Sequence, residues 1–296
     1  MPPTTLRSQW RRMGALSVFL FIPAWALAGP SIGQFEVKDL ESEPGSLEFQ
    51  SQNAHMFGQP RRAVKEENGE FEYDDNSVTK QRHAMELEFG ITPRWKSRVG
   101  IEFEKERIDD PDSPAQANAY ADLKLTEIGG ELIAIIDPIE DNDDWGFGLV
   151  TEYEHALEDG EASTLLFGSI IQTNQGPWWA NVNLYLVKHL GGDRPRDEKL
   201  DFAYASQFGR HLSEHWHATI EAYGTVDRLG DSGRRNEEAR LFGDHDQHRL
   251  GPLLYYTTEL GRGDDGTALL VGAGFLFGLN DNTPNTTFKW TVEVEF

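Results

Sequence analysis

The chain has no cysteine, no surplus of basic residues and, beyond its first 28 residues, no apolar run long enough to cross a membrane as a helix. Without cysteine there is no disulfide framework, so stability must come from a core or from the closure of a sheet. Its 27 Lys and Arg residues face 50 Asp and Glu residues, a formal net charge of −23. Nothing resembles a basic stripe, and no nucleic-acid partner is therefore expected.

The first 28 residues have the layout of a secretory signal peptide. Three arginines precede an apolar run over 14–22, and the small residues of 26–28 form a cleavage site. An uncleaved anchor is the alternative, but Pro23 ends the run short of the roughly 20 residues that a spanning helix needs. We predict a signal peptide over 1–28 and a periplasmic N-terminal segment over 29–45. Cleavage removes three of the 27 cations and none of the acids, leaving a charge of −26.

Apolar and polar residues alternate with a period of two along the rest of the chain, which is typical of β-strands. Met85, Leu87 and Phe89 fall on one face, for example, and Glu86 and Glu88 on the other. Twelve strands are predicted, at 46–57, 81–92, 97–109, 119–137, 145–157, 163–175, 178–190, 200–213, 217–230, 248–260, 267–280 and 286–296.

The connections between these strands differ in kind. Long, charged loops are predicted at 58–80, 110–118, 191–199 and 231–247, and tight turns at 93–96, 176–177 and 214–216. Short turns at the periplasmic end and long loops outside are typical of an up-and-down membrane barrel. The predicted fold is therefore all-β, a closed antiparallel transmembrane β-barrel of about twelve strands over 46–296. The fourth strand loses its alternation near Glu127, which predicts a bulge there.

Five tryptophans flank the predicted periplasmic turns: Trp95, Trp145, Trp178, Trp179 and Trp216. An indole combines an apolar body with a hydrogen-bonding edge, so it concentrates at the boundary between water and lipid. We predict that these five lie at the membrane interface. Core aromatics of a soluble β-protein are the alternative.

A sheet in hydrocarbon must close on itself, because each unpaired backbone N–H or C=O costs several kcal/mol. Closure would turn the apolar faces toward outer-membrane lipids and the acidic faces toward a wet interior. The residues predicted to line a pore are Glu86, Glu88, Glu102, Glu104, Glu152, Glu154, Glu221, Glu293 and Glu295. In a soluble sandwich the same residues would form the solvated face.

The last strand carries Trp290, Val292 and Val294 at every second position and ends on Phe296. This pattern resembles the C-terminal signal by which bacterial outer-membrane β-barrels are recognised by their insertion machinery. The resemblance implies an outer-membrane location and an interaction of these residues with that machinery. The segment 84–95 is also similar to the "glutamate-leucine-glutamate, glycine, turn" repeats of the outer-membrane channel proteins named for the meta-cleavage pathway of phenol degradation.

Two histidine clusters are the candidates for chemistry. His211, His215 and His217 surround a predicted periplasmic turn and could bind a transition metal. A polar turn is the alternative. His245 lies between two aspartates in the loop 231–247, where a protease-like site or a solvated loop is possible. Neither cluster matches the motifs of barrel lipases or proteases, so no catalytic residue, metal or cofactor is predicted.

The predicted function is a passive channel or transporter for small solutes. Clustered carboxylates repel anions, so an acidic lumen favours cations or neutral compounds. Arg98 and Lys124 are expected to pair with some of the glutamates and to reduce this preference. The alternatives are an outer-membrane barrel enzyme that hydrolyses lipid or peptide, and a plugged structural or adhesive barrel. The sequence names neither the solute nor the oligomeric state.

Overall fold

The computed structural model describes residues 35–58, 63–65, 71–73, 80–105, 121–139, 144–192, 200–226, 229, 246–260, 267–280 and 283–296. Its strands are β1 Leu47–Phe57, β2 Ala63–Lys65, β3 Phe71–Tyr73, β4 Lys80–Thr92, β5 Trp95–Lys105, β6 Lys124–Asp137, β7 Trp145–Ala156, β8 Ser163–Gln175, β9 Trp178–Leu190, β10 Asp201–His211, β11 Trp216–Val226, β12 Gln247–Leu260, β13 Thr267–Gly278 and β14 Thr286–Glu295. Within these ranges there is no helix of the length and hydrophobicity needed to cross a membrane.

Strand β1 and strands β4 to β14 form a closed barrel in which every strand is antiparallel to its neighbours. The barrel closes between its first and last strands, in a register that runs from Glu48 opposite Glu295 to Phe57 opposite Thr286. The predicted closed antiparallel barrel of twelve strands is therefore confirmed. Closure explains how so much sheet is stable without disulfides, because it leaves no strand edge unpaired. The short strands β2 and β3 pair only with each other and were not predicted.

The bulge predicted near Glu127 is confirmed. Glu127 pairs with Glu102 and Leu125 pairs with Phe103, which leaves Thr126 as the extra residue of β6. The extra residue restores the alternation for the rest of the strand. Strand β6 begins at Lys124 and not at 119. The signal peptide, the strand ends predicted at 106–109 and 230, and most of the long loops lie outside the described residues.

The alternation separates two environments. Outward side chains in mid-strand are apolar and about half exposed, as at Val99 (52%), Ile220 (53%) and Phe275 (49%). Inward side chains are mostly buried, and many of them are charged. Exposed apolar surface on this scale marks contact with another apolar phase or partner. We call the end of the barrel with the turns at 93–94, 176–177 and 212–215 the turn end, and the opposite end the loop end.

Candidate functional site: the barrel lumen

The nine glutamates that were predicted to line a pore all lie on the inner face of the barrel. Six of them are on β4, β5 and β7, and the structure adds Glu127 and Glu131 of β6 between them. We call these eight residues the acidic sector: Glu86, Glu88, Glu102, Glu104, Glu127, Glu131, Glu152 and Glu154. Glu221 of β11 lies apart from this sector, while Glu293 and Glu295 lie on β14. Sequence reasoning missed the two β6 residues because the bulge hid their parity.

The interior also contains a stretch of the N-terminal chain over residues 35–40, and residues 41–46 connect it to β1 at the turn end. We call residues 35–46 the lumenal segment. The Lys38 N–H donates to Asn183 Oδ1 (2.7 Å), and the Asn181 and Asn183 amides donate to the Lys38 carbonyl (2.8 and 2.9 Å). The Leu40 N–H donates to Gln172 Oε1 (3.0 Å). These partners are inward side chains of β8 and β9, so the segment is held by side-chain amides and adds no strand to the sheet.

Residues 35–40 belong to the N-terminal segment 29–45 that was predicted to be periplasmic, and they lie inside the barrel. Phe35 is completely buried, and Leu40 is 4% exposed. The segment shows no strand alternation, and its partners lie 132 and 145 residues away at Gln172 and Asn183. Neither the burial of the segment nor its distant contacts can be predicted from the local sequence.

The inner wall of the barrel is shaped to accommodate the apolar side chains of the segment. A Cβ atom on Gly146 or Gly148 of β7 would lie 2.7 or 2.6 Å from the Leu40 methyl carbons, so only glycine leaves room for Leu40 there. The Phe35 ring packs edge-on against Tyr223 (centroids 5.3 Å apart). Burying a side chain of this size stabilises the docked segment by roughly 1.5–3 kcal/mol.

Charged side chains bind the segment to the acidic sector. The Lys38 ammonium pairs with Glu36 (3.1 Å), Glu152 (3.3 Å) and Glu131. Glu36 in turn pairs with the Arg98 guanidinium of β5. Burial alone would raise the pKa of Glu36, but the charges of Arg98 and Lys38 outweigh burial and lower it to about 2. Glu36 therefore remains a carboxylate over the whole physiological pH range.

A second set of contacts lies near the turn end. Lys96 of β5 pairs with Asp39 of the segment (2.7 Å) and with Glu88 (3.0 Å). The carboxylate of Asp39 also repels that of Glu41, which is exposed, and this repulsion is the main cause that raises the pKa of Glu41 to about 7. Glu88 and Glu295 of the wall add to this repulsion only when the segment is docked, so docking is linked to a proton on Glu41.

Docking of the segment should weaken as the pH rises from about 4.5 to 7. The pKa of Glu41 is raised on docking, so the docked form binds the proton more tightly, and this contribution is lost as the pH passes the docked value. Since the chain has no cysteine, a Leu40→Cys variant reports docking through its rate of maleimide modification. The Glu41→Gln change should remove the pH dependence of this rate relative to the parent.

Glu43→Gln is the matched control for that experiment and should leave the pH dependence in place. Comparing rates at each pH removes the pH dependence of the thiol itself. Equal pH profiles with and without the Glu41 carboxyl would contradict the linkage.

On the other side of the lumen, Glu221 is fully buried, and both oxygens of its carboxylate accept hydrogen bonds. Its carboxylate accepts hydrogen bonds from Lys289 (2.8 Å), Tyr223 (2.6 Å), Gln207 (2.8 Å) and Tyr255. Such a buried ion pair with all its hydrogen bonds made is tolerated in an interior and fixes the geometry around it. This cluster ties β10, β11, β12 and β14 together.

A small cavity opens inside the acidic sector. It measures about 20 Å³, enough for one water molecule, and Gly100 and Gly129 are part of its lining. Oxygen atoms of Glu102, Glu127 and Glu154 lie within 4.8 Å of one another beside it. Three carboxylates at this spacing could hold a hard cation, which prefers oxygen ligands. The predicted cation Arg98 lies in this region, whereas Lys124 pairs with Glu158, and both of those side chains are partly exposed.

The turn-end histidines are only partly brought together. His211 and His217 meet with their Nδ1 atoms 2.6 Å apart, while His215 Nδ1 bonds the Thr257 carbonyl (3.0 Å). The inward Trp179 ring lies against the first two histidines. Trp179, which was predicted to lie at the membrane interface, is on the inner face of the barrel, because its position on β9 turns it inward. In the second cluster, Gly243 to His245 lie outside the described residues.

The other four predicted interface tryptophans, Trp95, Trp145, Trp178 and Trp216, are exposed on the outer face at the turn end. Trp290, Val292 and Val294 also point outward, and Phe296 is 67% exposed. The N–H of Phe296 donates to the Leu47 carbonyl (2.9 Å), so the last residue extends the seam between β14 and β1.

A group of polar side chains on the outer face bears on the enzyme alternative. His83 of β4 bonds Asn53 of β1 (Nδ1 to Oδ1, 2.7 Å), and the Asn53 amide donates to Ser51 Oγ (3.0 Å). Nucleophilic catalysis would need the serine within reach of a histidine. Among the described residues, the Ser51 hydroxyl has no hydrogen bond to His83 or to the neighbouring His55.

Comparison with known proteins gives likeness in shape only. No protein-family model and no curated protein matches the chain. Solved structures with some likeness include Pseudomonas aeruginosa OprD (TM-score 0.37, 8% identity, covering 84% of this chain and 66% of that one). A Pseudomonas aeruginosa FadL homologue has a TM-score of 0.40 and 8% identity, with 85% and 90% coverage. The chain therefore spans just under two thirds of the OprD length. At these scores the likeness carries no weight for function, and the class of protein is defined by the closed barrel itself.

Proposed function

We propose that the chain is an outer-membrane β-barrel that conducts small solutes, favours cations or neutral compounds, and is closed by its lumenal segment. The observation that carries this proposal is a closed barrel with an apolar exterior and an acidic inner wall. Lipid can solvate the exterior, and water can solvate the interior once the segment leaves. Export by residues 1–28 and insertion through the strand ending at Phe296 belong to the same proposal.

The preference for cations follows from the charge of the wall. Among the described residues, the eight glutamates of the acidic sector outnumber the cations seen to pair with them, namely Lys38, Lys80, Arg82, Lys96 and Arg98. Lys38 leaves with the segment, but Glu36, Asp39 and Glu41 leave with it, so the preference of the open lumen for cations rests on the charge of the wall itself. Carboxylates facing a narrow aqueous path between low-dielectric walls attract cations and exclude anions.

A plugged structural barrel is the second candidate, and the lumenal segment is the specific observation that favours it. In that case the segment would never leave, and the barrel would serve as an anchor for its outer loops. The two candidates differ only in whether the segment can be displaced under physiological conditions.

Selectivity of the open barrel tests the proposed channel. A chain lacking residues 29–41 is inserted into a planar bilayer between high and low KCl. We expect a reversal potential with the sign of potassium over chloride. The double change Glu102→Gln and Glu154→Gln should move that potential toward zero, because it removes two of the eight carboxylates of the acidic sector.

Glu214→Gln, in the turn before β11, is the matched control and should leave the reversal potential unchanged. Anion selectivity would overturn the proposed preference. No current from either the full or the shortened chain, together with turnover of lipid or peptide, would favour the barrel enzyme.

A further inference from the structure

Two histidines face each other across strands β10 and β11. His211 and His217 are directly opposite in the register and lie on the inner face at the turn end. Their Nδ1 atoms are 2.6 Å apart, and their rings are nearly perpendicular (79°). In a contact between two neutral imidazoles, one Nδ1 carries a proton and the other carries a lone pair. The two ring nitrogens therefore already face each other across one short contact.

The other ring nitrogen of His217 has a partner of its own. His217 Nε2 lies 3.2 Å from the hydroxyl oxygen of Thr257 on β12. In the tautomer whose Nε2–H donates to Thr257, the Nδ1 of His217 presents its lone pair toward His211. Histidines that bind metals almost always donate their second N–H to an oxygen in this way, and that bond fixes the tautomer and the ring orientation.

The Trp179 ring packs against the rings of both His211 and His217. Its centroid lies 4.6 Å from that of His211 and 5.9 Å from that of His217. Its own Nε1–H donates to Gln207 Oε1 (3.0 Å), which fixes the indole on the inner face. The pair thus has an ordered surrounding on one side, while the exposed His211 leaves the other side open to water.

We propose that His211 and His217 form a binding site for a borderline transition-metal cation, Cu²⁺, Ni²⁺ or Zn²⁺, with water completing the coordination. Imidazole nitrogen is a preferred ligand of these ions. Two metal–nitrogen bonds of 2.0–2.1 Å in tetrahedral geometry place the nitrogens about 3.3 Å apart. To bind the ion, the Nδ1 proton of the exposed His211 moves through water to its own Nε2. The rings must also separate by less than about 1 Å from the present contact, a shift available to side chains beside a turn. The proposal does not depend on the channel function.

Titration of the purified, tag-free full chain in detergent with Cu²⁺ alone tests this site. We expect one bound ion per chain, an electron paramagnetic resonance spectrum with two nitrogen ligands, and quenching of tryptophan fluorescence by the ion beside Trp179. His211→Gln or His217→Gln should weaken binding by at least about tenfold, since even an outer-shell partner contributes on that scale. Retention of the heat-modifiable mobility of the barrel in gels shows that each variant is folded.

His215→Gln is the matched control, because His215 is in the same turn and its Nδ1 bonds the Thr257 carbonyl. It should bind Cu²⁺ like the parent chain. Binding by the His211→Gln/His217→Gln double variant as tight as that of the parent would place the ion elsewhere and overturn the proposal. Equal loss in the His215 variant, or no binding by the parent above the double variant, would overturn it as well.

Discussion

Deleting residues 29–41 should raise the ion conductance of the reconstituted barrel by more than about tenfold, because a twelve-stranded barrel is too wide to be filled by wall side chains alone. Barrels of eight strands are filled by their own side chains, and those of sixteen leave an aqueous channel. In the present barrel Phe35, Lys38 and Leu40 occupy the intermediate space. Single-channel recording of the full and shortened chains in the same lipid measures the change.

Two controls decide what such a change means. The shortened chain keeps Ser42, whose hydroxyl bonds the backbone of the β4–β5 turn, so the entry of the chain into β1 is preserved. A synthetic peptide of residues 29–41 should restore closure when added to the shortened barrel. Equal conductance of the two chains would mean that the segment does not close the lumen, and would leave the fold unaffected.

The barrel wall could be predicted from the sequence because its rule is local. A period of two assigns each strand residue to lipid or lumen without reference to other strands, and this placed all nine predicted glutamates on the inner face. The same rule separates Trp178 from Trp179, which are neighbours on β9 and must face opposite sides. Both tryptophans were predicted to lie at the interface because both are next to a turn, and the period of two was not applied to them.

The contents of the lumen could not be predicted in this way. The lumenal segment has no period, and its position depends on Gln172, Asn183 and the glycines of β7, which are distant in sequence. Glycine alternating with aromatic residues at 145–148 was the available local sign that the wall leaves room there. Sequence shows only that room exists, because many segments of this size and polarity could fill it.

Replacing Arg98 by methionine should destabilise the folded barrel by about 3–5 kcal/mol, the usual cost of removing one partner from a buried ion pair. Arg98 is 3% exposed and its guanidinium contacts three carboxylates: Glu36, Glu86 (3.6 Å) and Glu88 (2.6 Å). Its removal leaves those charges in a poorly hydrated interior. Guanidinium unfolding in lipid vesicles, followed by tryptophan fluorescence, measures the loss. Arg94→Met, which removes only a turn hydrogen bond to the Ile136 carbonyl, is the matched control.

The same substitution made in the chain lacking residues 29–41 separates two roles of Arg98. Without the segment, Glu36 is gone and water reaches Glu86 and Glu88, so the charges left by Arg98→Met are hydrated and the cost should fall well below that in the full chain. The difference between the two costs is the coupling between Arg98 and the segment. If Arg98→Met destabilises the full chain and the shortened chain equally, Arg98 stabilises only the wall. The segment is then held by its amide contacts and by Leu40. The free energy needed to remove the segment is larger when Arg98 stabilises it, so that coupling also sets how readily the barrel opens.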